Sequence, residues 1–154
     1  MAKVEPIPSE YPRVTPYLSV EGAEKAIAFY CDILGAVERV RMGGPDGKIG
    51  HAELAIGSSV IMLSDAFPDM SAPTPSALGG SPVTLMVYVA DVDDVFARAM
   101  KAGAKEIAPV QDQFYGDRSG QFEDPFGHRW NVASHVEDVS AEEMEKRAAA
   151  MGGG

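Results

Sequence analysis

Cysteine is nearly missing from this chain of 154 residues. Cys31 stands alone, so no internal disulfide can form. That fits a reducing compartment, and the expectation is a cytoplasmic protein. Its lone thiol sits on a helix pattern with no neighbour that would lower its pKa. Long apolar runs are missing as well: no stretch approaches the roughly 18–20 residues that cross a bilayer. The opening MAKVEPIPSEYPR lacks the apolar core of a secretory leader. Basic residues are scarce, 13 Lys and Arg against 23 Asp and Glu, which leaves a net charge of −10. Such a surface repels phosphate backbones and anionic lipid, so neither nucleic acid nor membrane is expected as a partner. There is no GxSxG, no P-loop and no GxGxxG after a strand. Ser58 and Ser59, beside Gly57, read as turn residues rather than nucleophiles.

Apolar residues are present in quantity, 45% against 23% charged, which is the composition of a globular domain with a real core. They are laid out in one pattern used twice. Val14–Val20 is rich in β-branched and aromatic residues and reads as a strand. After a turn at Glu21-Gly22, Ala23, Ala26, Ile27, Tyr30 and Leu34 recur at helical spacing, and Gly35 stops the helix. Val83–Val89 repeats the strand. Asp91 is then the expected N-cap of a helix with the stripe Val92, Val95, Phe96, Ala99 and Met100, closed by Gly103.

Three strands are expected after each helix. In the first module they are Ala36–Met42, Ile49–Ile56 and Ser59–Ser64, joined by turns at Gly43–Gly47 and Gly57-Ser58. In the second they are Lys105–Val110, Arg118–Glu123 and His128–Ser134, with a loop over Asp112–Asp117 and a turn at Asp124–Gly127. The expected fold is α+β: two βαβββ modules forming a curved sheet of eight strands. Residues 1–12, with Pro6, Pro8 and Pro12, read as an arm that is loosely held or packs on a partner. The domain is placed at 13–135, with module one at 13–65, a Pro/Gly/Ser-rich linker at 66–81 and module two at 82–135. The tail, 136–154, opens a short helix at the capping-box pattern Ser140–Glu143; it either caps the surface or clasps a second subunit. The final glycines, 152–154, are expected to fray.

Strand alternation sorts the side chains into two faces. Val14, Pro16, Leu18 and Val20, and likewise Val83, Leu85, Val87 and Val89, belong under the helices. Thr15, Tyr17 and Ser19, with Thr84, Met86 and Tyr88, then line the opposite, concave surface. On the last strand His128, Trp130 and Val132 go under the helix, and Arg129, Asn131 and Ala133 go toward the pocket. His51, Glu53 and Ala55 share one face of their strand. A curved sheet with a mixed polar and aromatic face suits a small-molecule ligand.

The double βαβββ pattern, the text AxAFYxxxLG at Ala26–Gly35 and the Asp-Pro-x-Gly turn at Asp124–Gly127 resemble the vicinal oxygen chelate superfamily of glyoxalases, bleomycin-resistance proteins, fosfomycin-resistance thiol transferases and extradiol dioxygenases. The resemblance covers about residues 13–135. More narrowly, HAELAIGSSVIMLSDAFP at His51–Pro68 and YGDRSGQFEDPFGHRW at Tyr115–Trp130 resemble the PhnB-like branch.

The resemblance implies one divalent metal, held by His and Glu on the first and last strands of each module. Those positions fall on Thr15, Met62, Thr84 and Asn131, with Thr84 uncertain by about one residue of register. Hydroxyl, thioether and amide groups compete poorly with water for such a metal, so no cofactor is expected and a divalent metal is disfavoured. His51 and Glu53, two apart on one strand, offer either a displaced metal site or acid–base chemistry, or else simply a polar pair on the pocket rim.

Tyr115, Asp117 and Arg118 could clamp a ligand, or Arg118 could pair with Asp117 or Glu123 to shape the hairpin. Arg129 is a second anion-binding candidate, unless it bridges to Glu53 or Asp65. Tyr17, Met62, Met86 and Tyr88 give soft, adaptable walls suited to a flat apolar or aromatic ligand. His135 reads as a solvated strand end, and His128 as a turn or core histidine. Two functions compete: metal-free binding of a small aromatic or anionic compound, and a lyase, isomerase or dioxygenase of the same superfamily. The resemblance also implies a homodimer. A third, weaker possibility is a structural or regulatory dimer with a vestigial pocket.

Overall fold

The structure, a computed structural model, describes residues 3–69 and 72–152. The chain divides into two compact units, Met1–Gly79 and Gly80–Gly154. The eight strands are shared equally between them, in two sheets of four rather than one continuous ladder.

In the first unit β1 (Tyr17–Val20) leads into α1 (Ala23–Leu34), followed by β2 (Val37–Gly43), β3 (Ile49–Ile56) and β4 (Ser59–Asp65). The sheet order is β1-β4-β3-β2, with β1 parallel to β4 because the helix returns the chain over the sheet. α1 forms because its small and large apolar residues fall on one stripe. Ala23, Ala26 and Tyr30 are fully buried there against a sheet face whose Val20, Ala52, Leu54 and Leu63 are also fully buried. The helix ends at Gly35 in the left-handed region, φ 68°, where its N–H returns to the Tyr30 carbonyl. β1 is shorter than the expected Val14–Val20. Pro16 has no N–H for the ladder and contributes only its carbonyl, to the Met62 N–H at 2.9 Å.

The start of α1 is held from across the sheet. Gly22 offers no side-chain cap. Instead Asp65, at the end of β4, accepts from the Gly22 and Ala23 N–H groups through Oδ1 (3.0 and 2.9 Å) and from the Ile49 N–H through Oδ2 (2.8 Å). Three backbone donors on one nearly buried carboxylate explain an acidic residue in the core.

The linker is more structured than its composition suggests. It carries a short helix, α2 (Pro75–Leu78), capped by Thr74, whose hydroxyl accepts from the Ala77 N–H. Glu21 accepts from both Thr74 (3.3 Å) and Ser76 (3.1 Å), and the Ser19 hydroxyl donates to the Ala72 carbonyl at 2.8 Å. The Thr-Pro-Ser start of this helix is hidden by the density of prolines and serines around it. Met70 and Ser71 lie outside the described residues.

The second unit repeats the plan with β5 (Thr84–Tyr88), α3 (Val92–Lys101), β6 (Lys105–Asp112), β7 (Asp117–Glu123) and β8 (Arg129–His135), in the order β5-β8-β7-β6. Asp91 caps α3 as expected, accepting from the Asp94 N–H at 3.1 Å. Ser134, near the end of β8, takes the role that Asp65 has in the first unit: it accepts from the Val92 N–H at 3.0 Å and donates to the Val89 carbonyl at 2.7 Å. Asp124 builds the Asp-Pro-x-Gly turn, accepting from the N–H groups of Phe126 and His128 and from Trp130 Nε1 at 2.9–3.0 Å. Phe96 of α3 meets Phe122 of β7 edge to face, with centroids 6.1 Å apart.

The tail forms α4 (Ala141–Gly152), capped by Ser140 as expected. Arg147 holds it to its own unit, bonding both Glu137 oxygens (2.8 and 3.0 Å), Glu143 and the Phe114 carbonyl. Of the glycines expected to fray, Gly152 closes this helix, and Gly153 and Gly154 lie outside the described residues.

Gly120 of β7 lies directly under Phe96: a Cβ there would sit 2.9 Å from both Phe96 Cε2 and Val110 Cγ2. Gly120→Ala is therefore expected to destabilise the fold by about 1–3 kcal/mol through overpacking. Denaturant unfolding checks this, and an unchanged midpoint would show that α3 can move away.

Candidate functional site

α1 and α3 each cover one face of their sheet, and alternation gives the sheet a second face, open at Tyr17, Met86 and Tyr88 and buried at Ser19, Glu53, Ser119 and Ala133. On the first unit the open face carries Tyr17, Met62, Glu53 and Val40 as one cross-strand row, from the pairings Tyr17↔Met62, Met62↔Glu53 and Glu53↔Val40. His51 stands two residues from Glu53 on β3, beside Met42 of β2.

These side chains form a connected chain of hydrogen bonds. The Tyr17 hydroxyl meets His51 Nδ1 at 2.9 Å, and His51 Nε2 meets Glu53 Oε2 at 2.9 Å. Glu53 Oε1 accepts from the Tyr11 hydroxyl at 2.7 Å. Glu53 is only 5% exposed, an expensive place for a charge unless it is well bonded. The hydrogen bond from His51, then that from Tyr11, holds its carboxyl below the usual glutamate range. An ionised Glu53 can only accept, so His51 presents an N–H at Nε2, and in its neutral tautomer it offers Nδ1 as an acceptor to Tyr17.

Tyr11 belongs to the N-terminal arm, expected to be loosely held or packed on a partner. The structure ties it to its own sheet. Besides the bond to Glu53, Arg39 donates to the Glu10 carbonyl at 3.3 Å, and its guanidinium lies 4.9 Å from the Tyr11 ring centre. A lone tyrosine among prolines gives no periodicity, so only the fold exposes its role.

The second unit has a related network in a different order. Tyr88 donates to Asp117 Oδ2 at 2.8 Å, and Asp117 Oδ1 accepts from His135 Nδ1 at 2.9 Å. His135 Nε2 reaches Asp138 Oδ1 at 2.7 Å. Both ring nitrogens face carboxylates, which favours the imidazolium: the pKa of His135 is raised, chiefly by Asp117 and next by Asp138. His135 is thus a bridging group rather than the merely solvated strand end expected.

Tyr17, Met62, Met86, Tyr88, Arg129 and Asn131 stand on open faces, as alternation required. Tyr17, Met86 and Tyr88 are 47, 46 and 61% exposed. Arg129 is half-buried, and its side chain makes no hydrogen bond or ion pair among the described residues. The carboxylates weighed as its partners are both taken, Asp65 by backbone and Glu53 by His51 and Tyr11. Asn131 Oδ1 is buried without a hydrogen-bond partner. Tyr115 packs edge-on against Phe114.

Arg118 is placed differently. It alternates with Asp117 and Ser119 and so falls on the α3 side of β7, with Gly120 and Phe122. Its guanidinium bonds Asp93 at 2.9 Å through two nitrogens and Asp112 at 3.2 Å. The ligand-clamp role expected of Arg118 is therefore replaced by pinning α3 to the β6–β7 hairpin, and neither Asp117 nor Glu123 is its partner.

The donor set does not suit the metal that the resemblance implied. Thr15 precedes β1 and donates, at 3.5 Å, to the Pro12 carbonyl. Met62 offers a thioether, Thr84 is exposed, and Asn131 supplies a neutral amide. Among the described residues no cluster of three or more His, Cys, Asp or Glu is arranged to hold a metal. His51 and Glu53 bond each other instead of converging on a common point. No helix among the described residues is long and apolar enough to cross a membrane.

Two βαβββ units, each a four-stranded sheet with a helix on one face, define the fold class. Residues 12–132 match the model of the Glyoxalase/Bleomycin resistance protein/Dioxygenase superfamily, and the chain belongs to that superfamily. An uncharacterised protein of Mycobacterium bovis is 42% identical over 146 residues, covering 93% of this chain and 96% of its own. TioX from Micromonospora sp. ML1 is similar in structure (TM-score 0.61, 25% identity, covering 84% of this chain and 100% of that one). So is a PhnB protein from Bacillus cereus (TM-score 0.64, 19% identity, covering 80% and 99%), a likeness of fold.

The two networks predict opposite responses to pH. A raised pKa at His135 means its bonds contribute fully below the ordinary histidine range and fade as pH rises through the raised value. The stability gap between wild type and His135→Gln is thus largest at mildly acid pH and closes with alkali. A lowered pKa at Glu53 means the reverse. The gap to Glu53→Gln is full at neutral pH and closes only as acid protonates the carboxylate. Thermal melts across pH 3–10 check both signs.

Proposed function

We propose that this protein binds a small aromatic or anionic compound on the open faces of its sheets without help from the divalent metal typical of its superfamily. One observation carries the reading. Tyr17 and Met62 in one unit, and Met86 and Tyr88 in the other, dress those faces with polarisable, partly exposed surface, while the residues at the superfamily's ligand positions are neutral. Flat apolar ligands favour such walls. Arg129, half-buried and without a partner among the described residues, suits a carboxylate or phosphate, and the adjacent Asn131 amide suits a polar substituent.

The same reading places the chain with the PhnB-like members of the superfamily, on the texts at His51–Pro68 and Tyr115–Trp130, working as a homodimer in the cytoplasm. The single cysteine is consistent with that compartment.

Isothermal titration calorimetry of chelator-treated protein against a panel of aromatic carboxylates and phenols tests the proposal. Binding is expected with an affinity that added Mn²⁺, Zn²⁺ or Ni²⁺ leaves unchanged, and Arg129→Ala is expected to weaken carboxylates by about tenfold or more. Binding that appears only with stoichiometric metal would overturn it.

A further inference from the structure

Tyr17 differs from the other phenols bound into the two networks in what receives its proton. Tyr11 and Tyr88 each donate to a carboxylate, Glu53 at 2.7 Å and Asp117 at 2.8 Å. A neighbouring negative charge opposes ionisation of a phenol, and both are held above the ordinary tyrosine range, chiefly by that hydrogen bond. Tyr17 meets instead an imidazole nitrogen, His51 Nδ1, at 2.9 Å. Behind the imidazole, Glu53 accepts from Nε2 at 2.9 Å, and Tyr11 fixes the other carboxylate oxygen. This is the order nucleophile or acid, base, orienting carboxylate, the arrangement in which a weakly acidic hydroxyl is activated by the group beside it. All members lie in one unit, on one face, with Tyr17 outermost at 47% exposed and Glu53 innermost at 5%.

We propose that Tyr17 is a proton-transfer residue: its phenol oxygen takes a proton from a bound carbonyl compound and returns it, with His51 storing the phenolic proton and Glu53 balancing the imidazolium. The ligand class is a flat carbonyl compound with a hydrogen on the adjacent carbon, seated over Met62, which pairs with both Tyr17 and Glu53. In the first step the ligand C–H bond breaks and its electron pair becomes the C=C bond of an enolate. A new O–H bond forms on Tyr17 as the original phenolic proton passes to His51 Nδ1. In the second step Tyr17 gives its proton to the enolate oxygen, and His51 returns the stored proton to Tyr17. The ligand leaves as its enol, no electron enters or leaves, and no co-reactant is consumed. Tyr17 is the catalytic residue; His51 and Glu53 act through it.

The inference rests on reading this open face as the ligand face, but its test needs no ligand. The intact protein is treated with benzenesulfonyl fluoride, which modifies tyrosines as their oxygens become nucleophilic, and the rates at Tyr17 and Tyr88 are compared in the same molecules by peptide mass spectrometry. Exposure alone favours Tyr88, at 61% against 47%. The proposal expects Tyr17 to react at least about tenfold faster. His51→Gln is expected to abolish that advantage, read at a temperature where circular dichroism shows the variant folded. Glu53→Gln is expected to reduce it, with modification of Tyr88 unaffected. A Tyr17 rate no greater than that of Tyr88 in the wild type would overturn the proposal whether or not the variants fold. So would an advantage that survives His51→Gln in folded protein. Selective Tyr17 modification without binding in calorimetry would keep the reactive phenol and remove the ligand reading; binding without selectivity would do the opposite.

Discussion

The carboxylate of Glu53 is the fixed point of the first unit's open face. It is nearly buried in the middle strands of a sheet whose other face is filled by a helix, so it cannot be moved aside without exposing the core behind it. A buried carboxylate needs donors, and it has two: the imidazole of His51 and the phenol of Tyr11. Those demands orient His51, and through it Tyr17, and they also tie down the N-terminal arm. The geometry of the candidate site follows from satisfying one charge in one place.

The duplicated plan shows how similar frames reach different chemistry. In each unit a side chain near the end of the last strand reaches the start of the helix, Asp65 in one and Ser134 in the other. Each unit also places a tyrosine on the first strand's open face in a network with a histidine and a carboxylate. The order differs. In the first unit the imidazole lies between the phenol and the acid; in the second the acid lies between the phenol and the imidazole. The first order gives the phenol a base, and the second gives the imidazole two anions. The second unit's network thus suits a structural bridge to Asp138, in the segment leading to the tail helix, rather than proton transfer.

Much of this was legible in the residues because period and punctuation act locally. The two helices, their glycine stops, the Asp91 cap and the inward Leu18 and Val20 follow from spacing, and β3 alternation put His51 and Glu53 on one face; Val14 and Val83, expected under the helices, are 84 and 59% exposed because each lies before its strand begins. What the text concealed is long-range. Tyr11 finds Glu53 across 42 residues and Asp65 finds Ala23 across the same span; no periodicity encodes such a meeting. Arg118 shows the other failure. Its neighbours in sequence offered plausible partners, but parity turned it toward α3 and Asp93, 25 residues away. The helix within the linker was masked by a composition that normally signals a loop.

The account turns on where the proton of His51 resides. A long-range ¹H–¹⁵N correlation spectrum of histidine-labelled protein, with the His51 signals assigned by comparison with His51→Gln, reads this directly near neutral pH. The predicted pattern for neutral His51 is protonation at Nε2, facing Glu53, with a bare Nδ1 facing Tyr17. A spectrum showing the proton on Nδ1 and a bare Nε2 would contradict the account, because Glu53 would then lose one of its two donors and Tyr17 would have no base.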